Sequence, residues 1–376
     1  MMVVRGLTAS WALATSAAAL SLSMPSWSTF SSRSISPQTR ALDASSILWI
    51  PQDIYRGDTF FDEWDFFDQA DPTHGMVNYL PRDKAINSSI PFAYIENDQA
   101  VMRVDNWTSL QQGQYRDSVR ISTKKQYNRG LFILDVAHSP YGCSVWPGYW
   151  TLGMKDTWPN AGEIDILEGV HNNQHDQVTW HTAPGCNLTV PANFSGTSIS
   201  TNCYANEVGG CGIVDWSRAS YGPLFNALGG GVYAMRWDAN SIDVWFFYRA
   251  AVPPDITLGA PNPTLENWGT PSASLSNIGC DLDKYFVDHA IVFDITVCGD
   301  WAGTSYQQDG CPGSCEEHVM DPSNFDNASW VINSLSVYQQ KTLISARPSS
   351  AYALLVPDAA MQVLLTSAII SAAFII

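Results

Sequence analysis

The sequence predicts an all-β fold, a two-sheet antiparallel sandwich, on three observations. Short runs rich in β-branched and aromatic residues recur along the chain. Clusters of Gly, Pro, Asn and Asp separate them, and the internal stretches are too punctuated for long amphipathic helices. The clearest strand segments are 131–136 (LFILDV), 232–237 (VYAMRW), 242–248 (IDVWFFY), 290–297 (AIVFDITV) and 331–338 (VINSLSVY). So many short strands with turn signals between them point to two packed sheets.

Composition agrees. Of 376 residues, 45% are apolar and 15% charged, with 26 Gly and 21 Pro, which excludes intrinsic disorder, collagen and coiled coil. Nineteen Lys+Arg against 36 Asp+Glu give a net charge of −17, a balance that repels phosphate backbones and anionic lipid and so argues against nucleic-acid or membrane-surface binding. Trp, Tyr and Phe each occur 15 times. Tryptophan at that frequency is either core filler or flat amphipathic surface for a ligand with apolar faces and polar edges, such as a sugar ring.

The two ends read as addresses. Residues 1–28 have one charge (Arg5), an apolar stretch from Trp11 to Met24 and a small-x-small site at Ser26-Trp27-Ser28, the layout of a secretory signal peptide. Ala359–Ile376 is uncharged, and upstream of it lie Ser349-Ser350-Ala351 and a spacer with Pro357 and Asp358. Small site, spacer and hydrophobic tail match a GPI-attachment signal, with a retained tail anchor or a packed helix as alternatives. Eight cysteines at 143, 186, 203, 211, 280, 298, 311 and 315 suggest up to four disulfides in a secreted, extracellular chain, with the pairing left open. A zinc site is the rival reading, but Cys311 and Cys315, with His318 nearby, have no second close pair to complete a tetrahedral set. Sequons at Asn87, Asn106, Asn187, Asn193 and Asn327 fit a glycosylated exterior. Residues 29–53 form a Ser/Thr-rich lead-in, and 54–340 read as one domain of about 290 residues without a composition break or repeat, a size acceptable for a sandwich.

The segment that carries chemistry is Trp158-Pro-Asn-Ala-Gly-Glu163-Ile-Asp165-Ile-Leu-Glu168-Gly169. Alternate side chains of a strand share a face, so Glu163 and Asp165 point one way and Ile164 and Ile166 the other. Glu168 falls on the wrong face of a regular strand. One extra residue in a β-bulge near Ile166-Leu167 returns it to the face of Glu163. Three carboxylates in one row raise at least one pKa, as a general acid requires, and a sequence selected for stability alone avoids that arrangement. The bare spacing arises by chance and a solvated strand face is the bland alternative. The β-branched residues between the acids, the flanking glycines and Trp146, Trp150 and Trp158 just upstream make the pattern specific.

Gly-Glu-Ile-Asp-Ile-Leu-Glu resembles the active-site signature of glycoside hydrolase family 16 in its β-bulge form. Residues 60–67 (FFDEWDFF), 71–79 (DPTHGMVNY), 146–150 (WPGYW), His181-Thr182, 229–234 (GGGVYA) and 298–302 (CGDWA) are similar to fungal laminarinase-type members, over about residues 54–340. The resemblance implies a β-jelly-roll sandwich with a concave, sugar-binding cleft. It further implies endo-hydrolysis of β-1,3- or β-1,3/1,4-glucan with retention of configuration. By the same likeness Glu163 matches the nucleophile, Glu168 the acid/base and Asp165 the carboxylate between them. A retaining glycosidase needs two carboxyls about 5–5.5 Å apart, one to attack the anomeric carbon and one to protonate the leaving oxygen.

Trp150 and Trp158 match sugar-stacking tryptophans of the family, Trp146 and Trp301 look like further platforms, and His181 matches a histidine near the acids, each against a reading as core. Arg120 is assigned either to a sugar hydroxyl or carboxylate in the cleft or to a surface ion pair, and Asn78 and Tyr79 are weaker binding candidates. No cofactor or catalytic metal is expected. Some family members carry a structural calcium on the convex side, but no acidic run here identifies such a site. The expected partner is a β-glucan acted on by a monomer, with the possible GPI tail as its membrane attachment. Two rivals share the sandwich: a glucan transglycosylase using the same residues, and a non-catalytic glucan-binding lectin, which has no need of Glu163 and Glu168.

Overall fold

A computed structural model describes residues 46–190 and 193–343. The signal segment, the lead-in up to residue 45 and the C-terminal tail from residue 344 lie outside the described residues. The first strands are β1 (Ser46–Tyr55), β2 (Trp64–Phe66), β3 (Val77–Tyr79), β4 (Ala93–Glu96), β5 (Gln99–Arg103) and β6 (Arg116–Ser118). There follow β7 (Arg120–Thr123), β8 (Gly130–His138), β9 (Val145–Gly153), β10 (Glu163–Glu168), β11 (Gln177–His181) and β12 (Thr197–Ser200). The last are β13 (Cys211–Val214), β14 (Gly231–Trp237), β15 (Ser241–Tyr248), β16 (Ala273–Ser276), β17 (His289–Val297) and β18 (Ser329–Leu343). Among the described residues, α-helices are limited to turns of four to six residues. Among the described residues no helix is long and apolar enough to cross a membrane.

Two eight-stranded antiparallel sheets make the sandwich. The back sheet runs β16-β15-β14-β8-β18-β5-β4, with β1 paired to β18, and the cleft sheet runs β12-β13-β11-β10-β9-β17-β7-β2. A short parallel pair, β3 and β6, lies apart from both. Strand β18 carries β5 along its first residues and β1 along its last, from Tyr55↔Leu335 to Ser46↔Leu343. The end of the Ser/Thr-rich lead-in thus supplies a strand.

Period-two alternation decides which side chains reach the interior. In β17, Ile291, Phe293, Ile295 and Val297 enter the core, whereas Asp294 and Thr296 open onto the cleft. Phe293 stacks on Tyr149 with centroids 4.8 Å apart and meets Trp330 of the back sheet edge-on at 5.5 Å. Trp330 is fully buried, and its indole N–H donates to the Asp294 carbonyl at 3.0 Å, tying the two layers together beneath the cleft. A second apolar cluster on the back sheet joins Trp49, Trp245, Phe247, Trp268 and Tyr338. Of the 13 tryptophans among the described residues, seven (Trp49, Trp64, Trp180, Trp237, Trp245, Trp268 and Trp330) are buried core.

All eight cysteines are paired, as Cys143–Cys311, Cys186–Cys280, Cys203–Cys211 and Cys298–Cys315, which removes the zinc reading of Cys311 and Cys315. Two of these bonds tether the segment after β17, where a π-turn at Gly299–Gly303 carries Trp301. Because Trp330 fills the centre of the sandwich, Trp330→Ala is expected to cost about 3–5 kcal/mol of unfolding free energy in a urea titration. A loss below about 1 kcal/mol would mean the centre collapses around the gap.

Candidate active site

The signature occupies β10, and its ladder with β9 slips where the sequence expects it. Asp165 pairs with Trp150 and Leu167 with Tyr149, which leaves Ile166 as the extra residue of a bulge. Ile166 and Leu167 are both fully buried in the core, so the strand spends two consecutive side chains inward and Glu168 returns outward beside Glu163 and Asp165.

Register then lays the site out in rows across the sheet. One row reads Arg120, Asp294, Gly148, Glu168; the next Ser122, Val292, Trp150, Asp165, Thr179; the third Ala290, Leu152, Glu163, His181. These rows floor a cleft of about 370 Å³ that Trp146 and Trp158 also line. Gly148 is required at its place. A Cβ there would lie 2.7 Å from Trp150 Cδ1 and 2.8 Å from Asp294 Oδ1, closer than side-chain carbons approach.

Each cleft tryptophan holds a different carboxylate through its indole N–H. Trp146 Nε1 donates to Glu168 Oε1 at 2.8 Å, Trp158 Nε1 to Glu163 Oε2 at 3.0 Å, and Trp150 Nε1 to Asp294 Oδ1 at 3.2 Å. Trp158 is half exposed, and Trp301 is reached through Trp146, against which it packs edge-on at 5.8 Å. His181 Nε2 lies 3.0 Å from Asp165 Oδ2 and 3.7 Å from Glu163 Oε1. Arg120 is buried, with its guanidinium 4.6 Å from the Phe67 ring and 4.9 Å from the Trp150 ring. Of its two sequence readings, the surface ion pair is overturned, because β7 turns this side chain onto the cleft floor.

Two expected residues stand elsewhere. Tyr79 is buried behind the floor, packed on Phe67, and its hydroxyl donates to Asp294 Oδ2 at 3.3 Å. Asn78, on the opposite face of the same strand, is exposed and donates to the Tyr115 carbonyl and to Asp117 Oδ1 in a separate recess of about 490 Å³. Asp294 is the residue that sequence reading missed. Its signal was a lone carboxylate inside an otherwise apolar strand, a buried charge that β-structure alone does not call for.

Burial dominates the electrostatics. Glu163 is pushed up to about 7 by burial and by Asp165, against the opposing pull of His181, Arg120 and the Trp158 N–H. Glu168 is held well above the ordinary carboxylate range by burial and then by Asp165, with the Trp146 N–H opposing. Asp165 is raised by burial and by Asp294, and Asp294 itself to about 6 by burial, with Arg120 opposing. Among the described residues, Glu163, Asp165 and His181 form the one group of three metal-capable side chains, with ligand atoms within 4.8 Å of one another. His181 already stands between the two carboxylates as their cationic or hydrogen-bonding neighbour.

Comparison with known proteins agrees with this geometry. The family model described as the XgeA-like, catalytic GH16 domain matches residues 64–338. A probable glycosidase of Schizosaccharomyces pombe is 44% identical over 292 residues, 76% of this chain and 68% of that protein. An endo-1,3(4)-β-glucanase of Arthroderma benhamiae is 36% identical over 82% of this chain and 68% of its own length. Among solved structures, laminarinase 16A of Phanerochaete chrysosporium, with 6-O-glucosyl-laminaritriose in donor and acceptor sites, superposes with a TM-score of 0.74. It is 40% identical, over 78% of this chain and all of that one. An elongating GH family 16 β-1,3-glucosyltransferase superposes with a TM-score of 0.72 at 36% identity, over 77% of this chain and all of that one. A β-sandwich with paired glutamates across a bulge, matched over most of its length by these relatives, belongs to glycoside hydrolase family 16.

Proposed function

We propose that the enzyme is a retaining endo-β-glucanase that hydrolyses β-1,3 and mixed β-1,3/1,4 glucans, with Glu163 as nucleophile and Glu168 as acid/base. The observation that carries this reading is the bulge, which sets both glutamates on one cleft face with Asp165 between them. The partners of each glutamate sort the roles. Glu163 receives an indole N–H and faces His181 and Arg120, all of which favour the ionised form that attacks the anomeric carbon. Asp165 and His181 act on both glutamates, in opposite senses. What separates the two is that Arg120 draws Glu163 toward ionisation, while Glu168 has no such cation and faces Glu163 as a further acid, surroundings that keep its proton for the leaving oxygen. In the first step Glu163 displaces the glucosyl oxygen, which takes the Glu168 proton. In the second, Glu168 removes a proton from water as the water displaces Glu163.

The same reading places the enzyme outside the cell, with the C-terminal segment as a candidate attachment signal. Four disulfides and the exposed sequon residues Asn87, Asn187, Asn193 and Asn327 support it. The likeness to an elongating glucosyltransferase favours, as a second reading, transfer of the glycosyl group to another glucan. Laminarin incubated with a reduced oligosaccharide acceptor separates the two, because exclusively hydrolytic products remove the transfer reading.

Proton NMR during laminarin cleavage is expected to show the β-anomer as first product, and an initial α-anomer would overturn the retaining mechanism. Glu163→Ala is expected to lower kcat by at least about a thousandfold, and Glu168→Gln by about 10²–10⁴-fold. The pH profile has a definite sign. Asp165 raises both glutamates, so in Asp165→Asn both limbs of kcat/KM move to lower pH. His181 lowers both, so in His181→Ala both limbs move to higher pH. Limbs that stay in place in both variants would show that other groups titrate.

A further inference from the structure

We propose that Asp176 is a positioning residue for the acid/base, holding Glu168 in place through its backbone; the inference rests on the role given to Glu168 above. Beyond the bulge β10 parts from one neighbour. Its ladder with β9 continues to Glu168↔Gly148, but its ladder with β11 stops at Asp165↔Thr179. The N–H of Glu168 therefore has no β11 carbonyl to meet, and an unpaired buried N–H is costly. Asp176 Oδ1 takes the missing place, accepting the Glu168 N–H at 2.8 Å.

Asp176 is itself fixed on both sides. Its N–H donates to Ser220 Oγ at 2.8 Å, its carbonyl accepts from Asp215 N–H at 2.9 Å, and the Ser220 hydroxyl donates on to the Ser217 carbonyl at 2.8 Å. Asp176, Asp215, Ser217 and Ser220 are all buried. Immediately after Glu168, a Cβ on Gly169 would come within 2.7 Å of the Tyr221 ring, so the chain cannot drift that way. The Glu168 main chain thus sits between a fixed acceptor and a fixed ring.

The groups facing the Asp176 carboxyl are Glu168 from β10, Asp215 from beyond β13, Tyr221, and Tyr233 from β14. Burial, with Asp215 and the Glu168 carboxyl, holds it well above the ordinary carboxylate range against the pull of the Glu168 and Gln177 N–H groups, so a neutral carboxyl whose carbonyl oxygen accepts the Glu168 N–H fits the surroundings. Asparagine has the same shape and the same acceptor.

The test separates a displaced acid/base from a damaged fold. Asp176→Ala is expected to lower kcat on laminarin by about 10- to 100-fold with KM changed less than about twofold, because a displacement near 1 Å is enough for such a loss. On 2,4-dinitrophenyl β-laminaribioside, whose leaving group needs no proton, formation of the glycosyl-enzyme in a pre-steady-state burst should keep the parent rate. Asp176→Asn should recover most of the laminarin activity. If Asp176→Ala does not fold, Asp176→Thr, too short to reach the Glu168 N–H, stands in its place. Parent-like laminarin turnover in a folded Ala or Thr variant overturns the proposal, as do equal losses on both substrates. Glu168→Ala measured on the same pair checks the underlying reading. If its laminarin loss is not selective, the role of Glu168 has failed, whereas a selective loss there beside a parent-like Asp176 variant defeats only the present proposal.

Discussion

One residue too many in β10 is the constraint on which the site depends. A pleated strand assigns faces by parity, and Glu163 and Glu168 have opposite parity. The bulge at Ile166 resolves the conflict, and the two aliphatic side chains it sends inward are the reason it is stable. Ile166 and Leu167 anchor in the same core that Phe293 and Trp330 fill, so hydrophobic burial on one side of the sheet fixes carboxylate geometry on the other. Past the irregularity the pairing with β11 stops, and a side-chain acceptor from the residue just before β11 takes the place of a ladder partner.

Carboxylates this crowded are unfavourable, and the fold offsets the cost with tryptophan. Sequence reading assigned Trp146, Trp150 and Trp158 to sugar stacking, but in the structure each also donates its N–H to a different acid. The indole is suited to both tasks, since the donor lies in the ring plane and the face stays available. Trp150 is the exception, because Arg120 covers one of its faces. That pair, braced by Phe67, places a guanidinium in the floor without giving it a carboxylate within ion-pairing distance among the described residues.

Much of this was legible in the chain. The sandwich followed from strand length and punctuation, and the bulge followed from the wrong parity of Glu168. What escaped was non-local. Asp294 is more than a hundred residues from the signature, and only the register of β17 against β9 brings it beside Trp150. Tyr79 and Asn78 are neighbours in sequence, yet alternation on β3 turns the Tyr79 hydroxyl to Asp294 behind the floor and the Asn78 amide outward to Asp117. Disulfide pairing was open for the same reason: it is a statement about which loops meet, and spacing along the chain does not contain it.

The cleft also sorts polymers before it recognises any sugar. Glu163, Asp165, Glu168 and Asp294 share one small space with Arg120 as their cationic neighbour and with the His181 imidazole beside Asp165, on a molecule of net charge −17. A neutral glucan enters such a field without an electrostatic cost, and its hydroxyls meet donors and acceptors alike. A polysaccharide bearing uronate, sulfate or phosphate groups is repelled at long range, most strongly in dilute salt. In a mixture of polymers, the charge that tunes the acids therefore also acts as a filter against acidic fibres.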